Sequence, residues 1–163
     1  MREYIVTCCS TADMSRTFME TNEVPFAMFH YQLDGKEYAD DLYSSISPEV
    51  FYKMIGDGAQ SVTSQVNAEA YCALFEPVLK SGKDVLHLTL SSGISGSINS
   101  ANVAKAQMEE KYPDRRVMVV DSLAASSGYG MLVEQTLENQ RAGMSLEENA
   151  AWIVAHRNTL HHW

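Results

Sequence analysis

The stretch Asp84–Leu90 constrains the fold more than any other. Val85-Leu86-His87-Leu88-Thr89-Leu90 reads as a strand. It runs without a break into Ser91-Ser92-Gly93-Ile94-Ser95-Gly96-Ser97, and then into a segment from about Ile98 to Tyr112 with Ala101, Ala104 and Met108 on one helical face. Strand, short loop and helix in direct succession are the unit of a parallel sheet covered by helices. The same alternation recurs along the chain. Tyr4–Cys8 is a short strand rich in β-formers, and Val117–Val120 is another, ending in Asp121-Ser122. The expected class is therefore α/β, a three-layer α/β/α arrangement with a mostly parallel sheet, in one domain over residues 1–163. Ligands of such sheets bind beyond the C-terminal strand ends.

The remaining elements follow from their punctuation. Ser10-Thr11-Ala12-Asp13 is a polar turn able to cap a helix, and Val24–Tyr31 is a second apolar run of strand character. Leu33-Asp34-Gly35-Lys36 is a turn consistent with a hairpin. Ser47-Pro48-Glu49 starts a helix whose apolar face carries Val50, Phe51, Met54 and Ile55 and which Gly56 and Gly58 end. Ser61-Val62-Thr63-Ser64-Gln65 is extended and rich in hydroxyls. Asn67 caps a helix running to about Ser81-Gly82. A helix covers roughly Ala125–Arg141 and Gly143 stops it, and Ser145-Leu146-Glu147-Glu148 is a capping box for one more. The chain stops at Leu160-His161-His162-Trp163 with an exposed-looking aromatic, which suggests a piece of a longer protein.

The formal net charge is -9, with no basic stripe, so nucleic acid is not an expected partner and anionic membrane surfaces would repel the domain. An acidic chain that binds an anion does so locally, with hydroxyls, backbone N–H groups and helix N-termini. Three cysteines, Cys8, Cys9 and Cys72, give no disulfide framework, and adjacent Cys8 and Cys9 read as buried strand thiols. The opening residues are not a signal peptide and no stretch reaches the length of a membrane span. The expected location is cytoplasmic, and the protein is not expected to be an integral membrane protein.

Ser91–Ser97 is the chief candidate for chemistry. Gly93 and Gly96 let backbone approach a ligand, hydroxyls surround them, and the segment sits before a helix, so N–H groups are expected to point outward. A capped strand-to-helix turn is the plainer reading. Known cradles do not match: no Lys follows Gly96 for a Walker loop, a dinucleotide fingerprint needs another glycine, and Gly93-Ile94-Ser95-Gly96-Ser97 mis-spaces a nucleophile elbow. His30 and His87 lie in strand-like runs and His156, His161 and His162 near the end, so no catalytic residue is assigned. Thr63, ahead of its own helix, is the second candidate, with ordinary capping as its alternative.

These segments also carry a resemblance. Ser10-Thr11-Ala12-Asp13 resembles "TDSTADL", Thr63-Ser64-Gln65 resembles "TSQPS", and Ser91 to Ala101 resembles "SSGLSGTYQSA". Val119-Val120-Asp121-Ser122 followed by Ser126-Ser127-Gly128-Tyr129-Gly130 resembles "VIDS…SxGxG". In this order and spacing they are similar to the DegV family of fatty-acid-binding proteins, which includes the FakB-type carriers. The resemblance implies a non-enzymatic, lipid-binding carrier whose long-chain fatty acid is held at the carboxylate by Thr63 and Ser95, with the Gly96 amide as a third donor. It implies a fatty-acid kinase as partner, no metal, no cofactor beyond the bound acid, and a second domain that this chain lacks. Departures are Cys9 in place of the first motif's Asp, Val66 in place of Pro, and Ser97 in place of Thr. Two other functions stay open on the residues alone: a serine hydrolase or acyltransferase using Ser95, and a phosphate-ligand binding domain using the same loop.

Overall fold

The computed structural model describes residues 2–160, so the terminal Trp163 with His161 and His162 lies outside the described residues. The fully buried strand β6 (Asp84–Thr89) lies at the centre of the main sheet. It pairs in parallel with β1 (Tyr4–Cys9) on one side and with β7 (Val117–Asp121) on the other. A two-residue strand, β2 (Phe26–Ala27), adds in parallel to β1, giving the order β2-β1-β6-β7. Strands buried on both faces are largely apolar; β6 lacks polar alternation, and its Asp84, His87 and Thr89 are buried along with Val85, Leu86 and Leu88.

Helices cover both faces. α3 (Ala68–Lys80) and α4 (Ser97–Lys111) pack on each other and on β6 and β7. α5 (Ser126–Arg141) and α6 (Leu146–His156) pack together and on β1, β6 and β7. The starts of these helices follow the expected capping residues. Ser47 accepts from the Val50 amide and Pro48 takes the first turn of α2 (Pro48–Gly56). Asn67 accepts from the Ala70 amide, and the box between Ser145 and Glu148 is complete. Gly58, Gly82 and Gly143 all have positive φ just past helix ends, where a side chain would be strained.

Three local expectations are corrected. Residues 10–13 do not cap a helix; Ser10–Ala12 form a 3-10 turn closed by a left-handed Asp13, and Ser15 caps the short α1 (Arg16–Thr21). The run Val24–Tyr31 is not one strand. After β2 the chain bends at exposed Met28, and the Phe29 amide donates to Ser10 Oγ at 3.1 Å. It then begins β3 (His30–Leu33) in a different sheet. That second sheet is the third difference. β3 turns at Asp34-Gly35 into β4 (Lys36–Ala39), and β5 (Ser61–Ser64) joins β3 on its other edge, all antiparallel, in the order β4-β3-β5. Nothing local announces that Ser61–Ser64 pairs with a strand some thirty residues earlier.

Gly130, in the segment Ser126–Gly130, has a packing role. A Cβ on Gly130 would stand 2.6 Å from Met14 Sδ and 2.7 Å from the carbonyl oxygen of Ala12, so α5 lies directly on the 3-10 turn. Beside it, the buried Tyr129 hydroxyl donates to the Leu88 carbonyl and accepts from the Cys9 amide at 2.9 Å. These contacts fix where β1 ends relative to the loops after β6 and β7.

Candidate functional site

The loop Ser91–Ser97 leaves the C-terminal end of β6, as expected, but its amides do not point outward. The Ser92 amide donates to Asp121 Oδ1 at 3.1 Å and the Gly93 amide to Ser91 Oγ at 3.1 Å. The amides of Ile94 and Ser95 both donate to the Ser91 carbonyl, and the Ser97 amide donates to Ser95 Oγ at 3.2 Å. The loop thus closes on itself and on the segment after β7, where Ser91 N also donates to the Ala124 carbonyl. The Gly96 amide has no partner among the described residues. The cradle therefore reduces to that amide, the first turn of α4 and the Ser95 hydroxyl.

Ser95 is buried, and its hydroxyl donates to Ser97 Oγ at 3.1 Å. Among the described residues, no histidine is hydrogen-bonded to it. His87, on β6 itself, is fully buried, with Nδ1 2.9 Å from Thr7 Oγ1. Burial pushes its pKa down to about 3, so the ring stays neutral. His30 lies on β3, and His156 stacks on Trp152 with centroids 4.1 Å apart.

Thr63 lies in β5, exposed, opposite Tyr31 of β3. It is a strand residue and not a helix cap; Asn67 has that role. The two loops meet through Gln65 and Gly96: a Cβ on Gly96 would stand 2.9 Å from Gln65 Oε1. Glycine at 96 therefore leaves the space that the Gln65 amide occupies.

Thr63 also lines a cavity of about 240 Å³ that sequence reasoning did not find. The hairpin floor supplies Tyr31, the segment before it Phe29, and α2 supplies Phe51 and Tyr52. Phe51 meets Tyr31 edge-on at 5.5 Å, which docks α2 onto the small sheet. α2 buries none of its residues fully, and Val50 and Tyr52 stay largely exposed. A helix with an apolar face and so little to cover it offers its surface to an apolar partner. Its signal in the sequence was the apolar stripe Val50, Phe51, Met54 and Ile55.

The cavity is polarised. Asp13, Asp40 and Asp41 line it together with the aromatics. Burial raises the pKa of Asp40, against a hydrogen bond from Ser10. Asp40 follows β4, on the far side of β3 from Thr63, about two strand spacings or ~10 Å across the sheet. Leu42 and Tyr43, next along this wall, both hold left-handed backbone, and Asp41 Oδ1 accepts from the Ser44 and Ser45 amides. The carboxylates of Asp13, Asp40 and Asp41 repel an anion from their part of the cavity, whereas Ser61 and Thr63 offer it hydroxyls.

Among the described residues, no three His, Cys, Asp or Glu side chains group closely enough to hold a metal ion. No helix there is long and apolar enough to cross a membrane. Cys8, Cys9 and Cys72 are free thiols.

Comparison with known proteins adds to this geometry. A family model described as an uncharacterised protein of the DegV family matches residues 5–163. A DegV domain-containing protein of Clostridium perfringens is 31% identical over 163 residues, which is 100% of this chain and 56% of that protein. A solved structure of a DegV family protein from Thermus thermophilus, described for its fatty acid binding, matches with a TM-score of 0.84 at 31% identity, covering 97% of this chain and 54% of that one. A stearic-acid-binding protein from Eubacterium ventriosum matches with a TM-score of 0.84 at 28% identity, covering 93% and 52%. The chain spans about half the length of the curated relatives it matches.

Proposed function

The chain belongs to the DegV family, and on that premise we propose that it is a fatty-acid-binding domain that grips the carboxylate with Thr63, Ser95 and the Gly96 amide. The observation that carries the reading is the aromatic cavity with Thr63 on its rim, joined to the serine loop through Gln65 and Gly96. Its fold is that of proteins described as fatty-acid binding. The tail lies along the paired Tyr31 and Phe51 rings, and the head group turns away from Asp40.

Magnitudes divide the labour. A buried methylene gains about 0.8 kcal/mol, so a long acyl chain offers on the order of 10 kcal/mol before the costs of association. A hydrogen bond to a charged carboxylate gives about 1.5–3 kcal/mol. The tail dominates affinity, and the hydroxyls fix orientation and favour acids over esters. The cavity, about 240 Å³, is smaller than the roughly 300–1,000 Å³ of typical ligand sites. It holds part of the tail, and the portion of the relatives that lies outside this chain's span covers the rest.

The domain acts as a cytoplasmic carrier that presents the carboxylate to a fatty-acid kinase, with no catalytic group and no cofactor of its own. Hydrolysis by Ser95 has little support, since its hydroxyl is bonded to Ser97 and not to a base. Phosphate binding is disfavoured by the inward use of the loop amides. Lipid extraction of the purified protein followed by mass spectrometry tests the reading. A co-purifying long-chain fatty acid is expected with the full-length protein, and weaker binding with this span alone. A protein that carries none, and takes up none when fatty acid is added, rejects it.

A further inference from the structure

Position 96 excludes a side chain for a reason that its backbone does not supply. Gly96 has φ -81° and ψ 3°, on the negative-φ side where residues with side chains also lie. What fills the space is Gln65. A Cβ at position 96 would stand 2.9 Å from Gln65 Oε1, 3.1 Å from its Nε2 and 3.4 Å from its Cδ. The whole carboxamide therefore lies over the Gly96 backbone, where the segments carrying Thr63 and Ser95 meet.

The chain holds Gln65 there from both sides. Ser64 Oγ donates to the His30 carbonyl at 3.3 Å, and Val66 is buried in the core. Ser61 and Thr63 both line the aromatic cavity. Alternate residues of an extended chain share a face, so Gln65 is the next member of that row. Gln65 is itself exposed, and its carboxamide makes no hydrogen bond among the described residues. Beside it α4 begins at Gly96 without a side-chain cap. Two donors without partners among the described residues thus stand together, the Gly96 amide and Gln65 Nε2.

Resting on the fatty-acid reading, we infer that Gln65 is a specificity-determining residue whose Nε2 donates to the bound carboxylate beside the Gly96 amide. An ionised carboxylate offers about four lone-pair sites. Thr63, Ser95 and the Gly96 amide fill three, and Gln65 fills the fourth. The terminal torsion of a glutamine side chain is broad, so Oε1, now the nearer atom to Gly96, gives way to Nε2 when the anion arrives. The donor is neutral and the surrounding chain is acidic, so selection of acids here rests on hydrogen-bond donors and not on a cation. A carboxylate at position 65 would instead repel the head group.

The test uses the full-length protein with Gln65→Ala, Gln65→Glu, Gly96→Ala, and Gln65→Ala combined with Gly96→Ala. Binding of a long-chain fatty acid and of the primary alcohol of equal length is measured for each, with thermal unfolding to show that each variant folds. Gln65→Ala removes one donor to a charged group and weakens acid binding about tenfold. Gln65→Glu weakens the acid further, yet leaves the alcohol within about twofold, because a carboxylate accepts the alcohol O–H. Gly96→Ala pushes the carboxamide aside and also weakens the acid about tenfold, but adds nothing in the Gln65→Ala background. Unchanged acid binding in Gln65→Ala, equal losses of acid and alcohol in Gln65→Glu, or an undiminished Gly96→Ala loss in the Gln65→Ala background overturns the role of Gln65 alone. If the unmodified protein binds no fatty acid, the functional reading is rejected and the role of Gln65 with it.

Discussion

Thr63→Ala combined with Ser95→Ala is expected to weaken long-chain fatty-acid binding by two or more orders of magnitude while leaving the fold nearly as stable. Two hydrogen bonds to a charged group, at about 1.5–3 kcal/mol each, amount to about 3–6 kcal/mol, and each 1.4 kcal/mol is tenfold in affinity. The fold should tolerate both changes. Thr63 is exposed, and its backbone, not its side chain, pairs β5 with β3. Ser95 loses a local bond to the first turn of α4, of the kind that costs about 1 kcal/mol. Titration calorimetry for affinity and thermal unfolding for stability separate the two effects. Unchanged affinity in the double variant would move the head group elsewhere in the molecule.

Gly130→Ala acts in the opposite sense, on the fold before the site. Met14 can swing its sulfur away from a new Cβ, but the Ala12 carbonyl 2.7 Å from that position belongs to backbone. That carbonyl sits in a 3-10 turn closed by the Asp13 amide on the Ser10 carbonyl at 3.0 Å. Relief comes by moving α5, and α5 carries the buried Tyr129, Leu132 and Val133. Overpacking of this kind costs about 3 kcal/mol, or roughly 6–12 °C at the midpoint for a chain of this size. Gly56→Ala is the control. A Cβ there meets nothing and the position is helical, so it should be neutral or stabilising by at most about 1 kcal/mol. Thermal unfolding of the two variants side by side reads this directly. Equal midpoints would mean that α5 does not lie on the turn.

How much of this was legible in the sequence depends on the range of the interaction. Ser47, Asn67 and Ser145 cap their helices through bonds three residues away, so their signals stand in plain sight. The central strand Asp84–Thr89 carries Val85, Leu86 and Leu88 on covered faces, which a run of β-formers also reveals. The split of Val24–Tyr31 between two sheets was hidden, because an apolar run has the same appearance whether it pairs with β1 or with a distant β5. Composition also failed at the serine loop. Its glycines and hydroxyls suit outward amides as well as inward ones, and the Asp121 carboxylate and the Ser91 carbonyl decided the matter. Cys9 looked like a strand thiol. It is one, yet its sulfur also meets the polar atoms of Tyr71 and His87, 62 and 78 residues away.

A crystal structure of the protein grown with a saturating long-chain fatty acid tests the central claim most directly. The account predicts elongated density with its carboxylate within about 3 Å of Thr63 Oγ1 and Ser95 Oγ, and a tail running past Tyr31 and Phe51. A carboxylate at the Asp40 end, or an aromatic cavity left without acyl density, would contradict it.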